Sequence, residues 1–180
     1  MSRWLLTKLL EWSKTRIGDV NMDYAYHLRD VAPSRLWRSS LIQVVAGGRK
    51  YTPPEVYHAA GMAAAMVEDC GPCVQIHVNL ALKDGVDANA LRALAARRLQ
   101  QVPAQAALGF KYGEAVATGV TADEMREEIR AKWGEQGLIE LAFTIAAARF
   151  YPAVKRGMGY AHTCERVVVE DRVTLTAKAA

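Results

Sequence analysis

The sequence predicts an all-α domain of about seven or eight helices, one of which opens on a pair of cysteines. Three observations carry that expectation. Apolar residues make up 51% of the 180 positions, with alanine and leucine abundant, and both favour helix over strand. Helix-start and helix-stop residues recur at helix-length intervals along most of the chain. Clustered β-branched residues occur only near the C-terminus, at Val167, Val168, Val169, Val173, Thr174 and Thr176.

In the first element Trp4, Leu5, Leu6, Leu9, Leu10 and Trp12 fall mostly on one helical face, opposite Lys8, Glu11 and Lys14. This is a short amphipathic helix, expected to dock on its own domain or on a partner subunit. Residues 22–32 form a second helix, stopped before Pro33, and 34–45 a third, ending at Gly47 and Gly48. Thr52, Pro53, Pro54 and Glu55 read as a capping box with proline at the first helical position. The helix that follows holds His58 and a run of alanine and glycine, so its backbone is expected to lie close to its neighbours.

A new helix is expected to begin near Asp69 or Cys70, because Pro72 is tolerated in a first turn and costly further in. It runs to Lys83 and stops at Gly85. Asp87 opens another, through Leu99, and 105–118 follow Pro103. Thr121 to Glu124 is a second capping box, opening a helix to Trp133. The last helix starts at Gly137 or Leu138 and ends at Pro152. The acidic Glu170-Asp171 step between β-branched runs predicts a small hairpin or an extended arm. One domain, 1–180, accounts for the chain: an N-terminal helical extension (1–34), a core (35–160) and a C-terminal arm (161–180).

The net charge is +4, but the basic residues are dispersed as pairs such as Arg49-Lys50, Arg97-Arg98 and Lys155-Arg156. No clustered basic face or reading module is present, which argues against nucleic acid as a partner. Lysines and arginines interrupt the N-terminal leucines, so no secretory signal is expected. The most apolar run, 138–150, contains Glu140 and Arg149 and is shorter than the ~20 residues that span a bilayer, so no membrane association is expected. Three cysteines are an odd number and do not make a disulfide framework. A reducing, cytoplasmic setting fits them, and there a C-x-x-C pair is catalytic or metal-binding more often than structural.

Cys70, Cys73 and His77 are the chemically informative residues, in the run Cys70-Gly71-Pro72-Cys73-Val74-Gln75-Ile76-His77. At about 100° per residue all three lie within an arc of roughly 60° on one helix face. The two thiols are placed to pair, and His77 is an i, i+4 neighbour of Cys73, within reach of a thiol–imidazole hydrogen bond. A helix N-terminus and a nearby histidine both lower thiol pKa. The chemistry that follows is peroxide reduction or thiol–disulfide exchange, with an external thiol or dithiol reductant restoring the pair.

The motif C-x-x-C-x-x-x-H in a helical setting resembles the alkylhydroperoxidase-D-like, or carboxymuconolactone-decarboxylase-like, family over about residues 35–160. Residues 70–77, followed by Leu80, Ala81 and Gly85, look like its signature helix, and residues 107–114 and 138–143 look like its later core helices. The resemblance implies Cys73 as the peroxidatic thiol, Cys70 as the resolving thiol and His77 as proton relay. It also implies a small hydroperoxide or other small-molecule substrate and a homo-oligomer, with no cofactor and no metal.

Peroxidase members carry a glutamate twelve residues before the first cysteine, where this chain has His58. His58, Glu68 and Glu55 are the candidates to complete the relay. Glu68 would turn toward the thiols only if the helix broke at Asp69, since a continuous helix points it about 160° from Cys70. Two alternatives stay open: a non-redox decarboxylase-type enzyme using His77 and an acid, and a structural or zinc site formed by Cys70, Cys73, His162 and Cys164.

Overall fold

The computed structural model describes residues 2–161 and 166–176. Within them the chain is all-α with a small C-terminal hairpin: α1 (Arg3–Ile17), α2 (Asp23–Val31), α3 (Pro33–Ala46), α4 (Pro54–Val67), α5 (Gly71–Lys83), α6 (Ala88–Ala95), a 3-10 turn (Leu99–Gln101), α7 (Ala104–Thr118), α8 (Asp123–Gly157), β1 (Arg166–Val169) and β2 (Arg172–Leu175). The strands pair antiparallel, Val169 opposite Arg172. Glu170 and Asp171 both take positive φ, 48° and 61°, as a tight two-residue hairpin turn requires.

The central element is α4, against which α5, α7 and α8 all pack. Its residues from His58 through Met66 are buried. The alanine–glycine run makes this possible, because small side chains let neighbouring backbones approach. On α7 a Cβ added at Gly109 would stand 2.6 Å from the Val56 carbonyl oxygen, and one at Gly113 would collide with that of Ala60.

Local side-chain caps fix two of the helix starts. The Ser2 hydroxyl caps α1 and the Asp87 carboxylate caps α6, each accepting from a backbone N–H three residues on. α6 is shorter than expected, stopping at Ala95 with Arg97 in the left-handed region (φ 55°). The Thr52 capping box does not form. Glu140 on α8 takes the Thr52 hydroxyl and the amides of Lys50, Tyr51 and Thr52, while Glu55 accepts from Gln105 at 2.5 Å. A carboxylate from another helix thus satisfies the donors that a local cap would have served.

The N-terminal extension docks in cis. Leu6 and Leu10 are buried with Val20, Met22, Ala25 and Leu36, and Ile76 of α5 packs against this cluster. Trp4, Leu5 and Trp12 stay exposed. α8 departs most from expectation. Its backbone leaves helical geometry at Gly134 (φ 72°, ψ 179°), where the sequence placed a break. It then continues through Pro152 to Gly157 rather than ending there. Proline forfeits one helical hydrogen bond, yet Pro152 and Lys155 are both buried, so packing holds the final turn. Among the described residues α8 alone is long and apolar enough to cross a bilayer, although its Ile129, Leu141 and Ile145 are buried in the core. The apolar run 138–150 is therefore part of a longer helix than the sequence led us to expect.

Candidate functional site

Cys70 is the N-cap residue of α5 and Cys73 lies in its first turn. Asp69, in the left-handed region at φ 50°, turns the chain from α4 into α5. The two sulfurs are 2.6 Å apart, both thiols free and buried, with residue exposures of 2% and 6%. Closing them to a disulfide takes about half an ångström of movement.

Lys155 is the third member. Its Nζ lies 3.5 Å from Cys73 Sγ and 4.0 Å from Cys70 Sγ, and the residue is only 3% exposed. The same Nζ sits 4.8 Å from the ring centroid of Tyr24 on α2, a cation–π contact. Tyr151, half-buried one turn before Lys155 on α8, stacks edge-on against Tyr24 and donates its hydroxyl to the Ser39 carbonyl at 2.9 Å. Among the described residues no carboxylate pairs with Lys155.

This arrangement separates the two thiols. The hydrogen bond with Cys73 is the largest influence on Cys70; burial opposes it, Lys155 and Arg156 assist, and the thiol is brought down to about 6. Cys73 is driven upward by the same contact and by burial. The pair therefore surrenders one proton readily and holds the other. The order is the reverse of the roles implied by the resemblance, in which Cys73 attacks.

His77 does not join the sulfurs. Among the described residues it makes no hydrogen bond to Cys73, and its ring lies over Gly61 of α4: a Cβ there would stand 2.8 Å from His77 Nδ1. Burial, then the neighbouring His58, lowers the imidazole to about 3, so it is neutral. The i, i+4 spacing sets adjacent Cβ positions, but the slot left by Gly61 takes the ring.

His58 is 4% exposed and its Nε2 contacts Asp84 Oδ2 at 2.7 Å, with Arg49 Nε 3.7 Å from the same oxygen. His58 Nδ1 is buried with no hydrogen-bond partner among the described residues. Burial lowers this imidazole too, against the pull of Asp84. Glu68 sits at the predicted break but binds Arg149 Nε at 2.8 Å and an Arg156 terminal nitrogen at 3.1 Å, not a thiol. Burial would raise its carboxyl; the two guanidiniums outweigh that and hold it below the usual range. Glu55 is likewise engaged, by Gln105.

Family models, curated proteins and solved structures all fail to match this chain.

A cleft of ≈ 360 Å³ opens over the first turn of α5, lined by Asp19, Val20, Asn21, Gly71, Pro72, Gln75 and Arg166. Its floor includes the two residues between the cysteines. The hairpin flanks it, held by Gln75: Nε2 donates to the Val168 carbonyl and Oε1 accepts from the Val168 amide, each at 2.8 Å. Of the zinc alternative, His162 and Cys164 lie outside the described residues, among which no group of three metal-ligating side chains gathers.

Sequence reasoning missed Lys155 and Tyr24. A signal for Lys155 was present. Leu141, Ile145, Ala148, Pro152 and Lys155 continue one helical stripe, and all five are buried. Ending the helix at Pro152 removed the lysine from that stripe.

Proposed function

We propose that this chain is a thiol-dependent oxidoreductase of the peroxidase type, cycling Cys70 and Cys73 between dithiol and disulfide, in keeping with its resemblance to the alkylhydroperoxidase-D-like family. The observation that carries this reading is the pair of sulfurs 2.6 Å apart at the opening turn of α5. A thiolate attacks the O–O bond of a small hydroperoxide: an S–O bond forms, the O–O bond breaks, and the alcohol leaves. The partner thiol displaces the sulfenic oxygen as water and forms the S–S bond. Two electrons pass from sulfur to peroxide, and an external thiol or dithiol returns them.

The lowered value at Cys70 favours Cys70 as the attacker and Cys73 as the resolver. The cleft above Gly71 and Pro72 supports approach of a small oxidant from that side. Free thiols suit a reducing, cytoplasmic setting. Self-association is part of the proposal, supported by Trp37, Leu41, Val44 and Val45, which stand exposed along one stripe of α3. The test is oxidation of the reduced protein by one equivalent of hydroperoxide, followed by mass spectrometry. Loss of two hydrogens with a Cys70–Cys73 crosslink is expected; an unchanged mass overturns the reading.

A second reading is favoured by the Asp84–His58 pair beside His77, with its open buried Nδ1. It is a non-redox enzyme using imidazole and acid. That enzyme would keep its activity with serine at both cysteines and lose it in His77→Ala.

A further inference from the structure

A buried ammonium is costly unless an anion faces it. Lys155 is only 3% exposed, and what faces its ammonium is sulfur at the start of α5 and the Tyr24 ring of α2. The hydrogen-bond contacts of its Nζ among the described residues are the two thiols. Tyr24 of α2 and Arg156 of α8 are the other ionisable groups beside the lysine or the thiols, and no ion pair to a carboxylate is formed by Lys155 among the described residues. The anion that balances Lys155 is therefore a thiolate of the dithiol. Conversely, the sulfurs lack the histidine that the motif seemed to supply, because that ring lies on Gly61.

We propose that Lys155 is the proton donor and acceptor of the dithiol, a catalytic residue that touches both reacting sulfurs and replaces His77 in that role. This rests on the redox function proposed above.

The reduced site holds a Cys70 thiolate, a Cys73 thiol and a Lys155 ammonium. The thiolate attacks the hydroperoxide, and the departing alkoxide takes a proton from Lys155 to leave as alcohol. The neutral amine then removes the Cys73 proton. The new thiolate attacks the Cys70 sulfenic acid, the S–S bond forms, and the departing hydroxide takes that proton to leave as water. The oxidised site holds a disulfide and a neutral amine, so no uncompensated charge is left buried. An external dithiol reduces the disulfide, becomes oxidised itself, and leaves one proton on Lys155 and one on Cys73.

The geometry suits both transfers, since one Nζ reaches either sulfur without moving along the helix. A lysine can give and regain a proton; an arginine in its place keeps the charge but stays protonated. That difference separates a proton carrier from a mere counter-ion.

The experiment compares wild type, Lys155→Met and Lys155→Arg in the reduced full-length chain. Two quantities are read: the thiolate ultraviolet absorbance against pH, and the rate of disulfide formation with a hydroperoxide at neutral pH. In Lys155→Met the thiolate should appear at a clearly higher pH than in wild type, because the positive charge beside both sulfurs is gone while their burial remains. Lys155→Arg should keep the low wild-type midpoint and yet oxidise at least ~100-fold more slowly, the usual worth of a positioned acid–base group. Oxidation of Lys155→Arg at the wild-type rate overturns the proposal, as does an unshifted midpoint in Lys155→Met. Should Lys155→Met not fold, Lys155→Arg alone decides. If wild type itself is inert to hydroperoxide, the peroxidase reading fails separately. A small disulfide as oxidant then reads Lys155 by the same rate comparison.

Discussion

Lys155 Nζ and Cys73 Sγ meet at 3.5 Å inside the protein, 82 residues apart in the chain. Helix α8 carries the lysine past Pro152 to the first turn of α5, so thiol acidity depends on a long-range packing contact as well as on the helix N-terminus.

The two thiols are not equivalent in this field. Cys70→Ser should abolish hydroperoxide reduction, and Cys73→Ser should stop at a sulfenic acid on Cys70, trapped by a dimedone adduct. Finding the adduct on Cys73 in the Cys70→Ser protein would restore the order that the resemblance implies. The measurement is adduct mapping by mass spectrometry in each variant.

Acid stability follows from His77. Its folded value, about 3, lies below the ordinary 6.5. Between these values the unfolded chain binds a proton that the folded chain refuses, so stability falls as pH drops below 6.5 and goes on falling toward 3. The loss at pH 5 is about 2 kcal/mol by linkage, at most. His77→Asn should flatten this part of the profile, read by urea denaturation at pH 7 and pH 5.

Gly113→Ala should destabilise strongly, because its Cβ would strike the Ala60 carbonyl, backbone that cannot rotate away. A loss of about 2–3 kcal/mol is expected. Gly61→Ala meets the His77 ring instead, a side chain with some freedom. It should cost less and displace the imidazole, visible as a shift in the His77 proton resonances.

Gln75→Ala removes both hydrogen bonds that fasten Val168 to α5. About 1–2 kcal/mol of local stability should go. Hydrogen exchange in β1 and iodoacetamide labelling of Cys70 and Cys73 should both accelerate, with the helical core unchanged.

Helical content and the placement of the cysteines at a helix start followed from local chemistry. Pro72 belongs in a first turn, Gly85 ends α5 with φ 80°, and Asp87 caps α6, all within a few residues of their causes. Whatever needed a partner far along the chain was not recoverable in that way. Spacing put His77 beside Cys73, but the space above Gly61 turned its ring toward α4. Thr52 and Glu55 had the residues of a capping box, and Glu140 and Gln105 reached them first. Glu68 found its helix break and then two arginines. Lys155 became part of the dithiol because α8 continues past Pro152, with Pro152 and Lys155 both buried. Sequence spacing fixes where a Cβ starts; the cavities and charges contributed by other helices fix where the side chain ends.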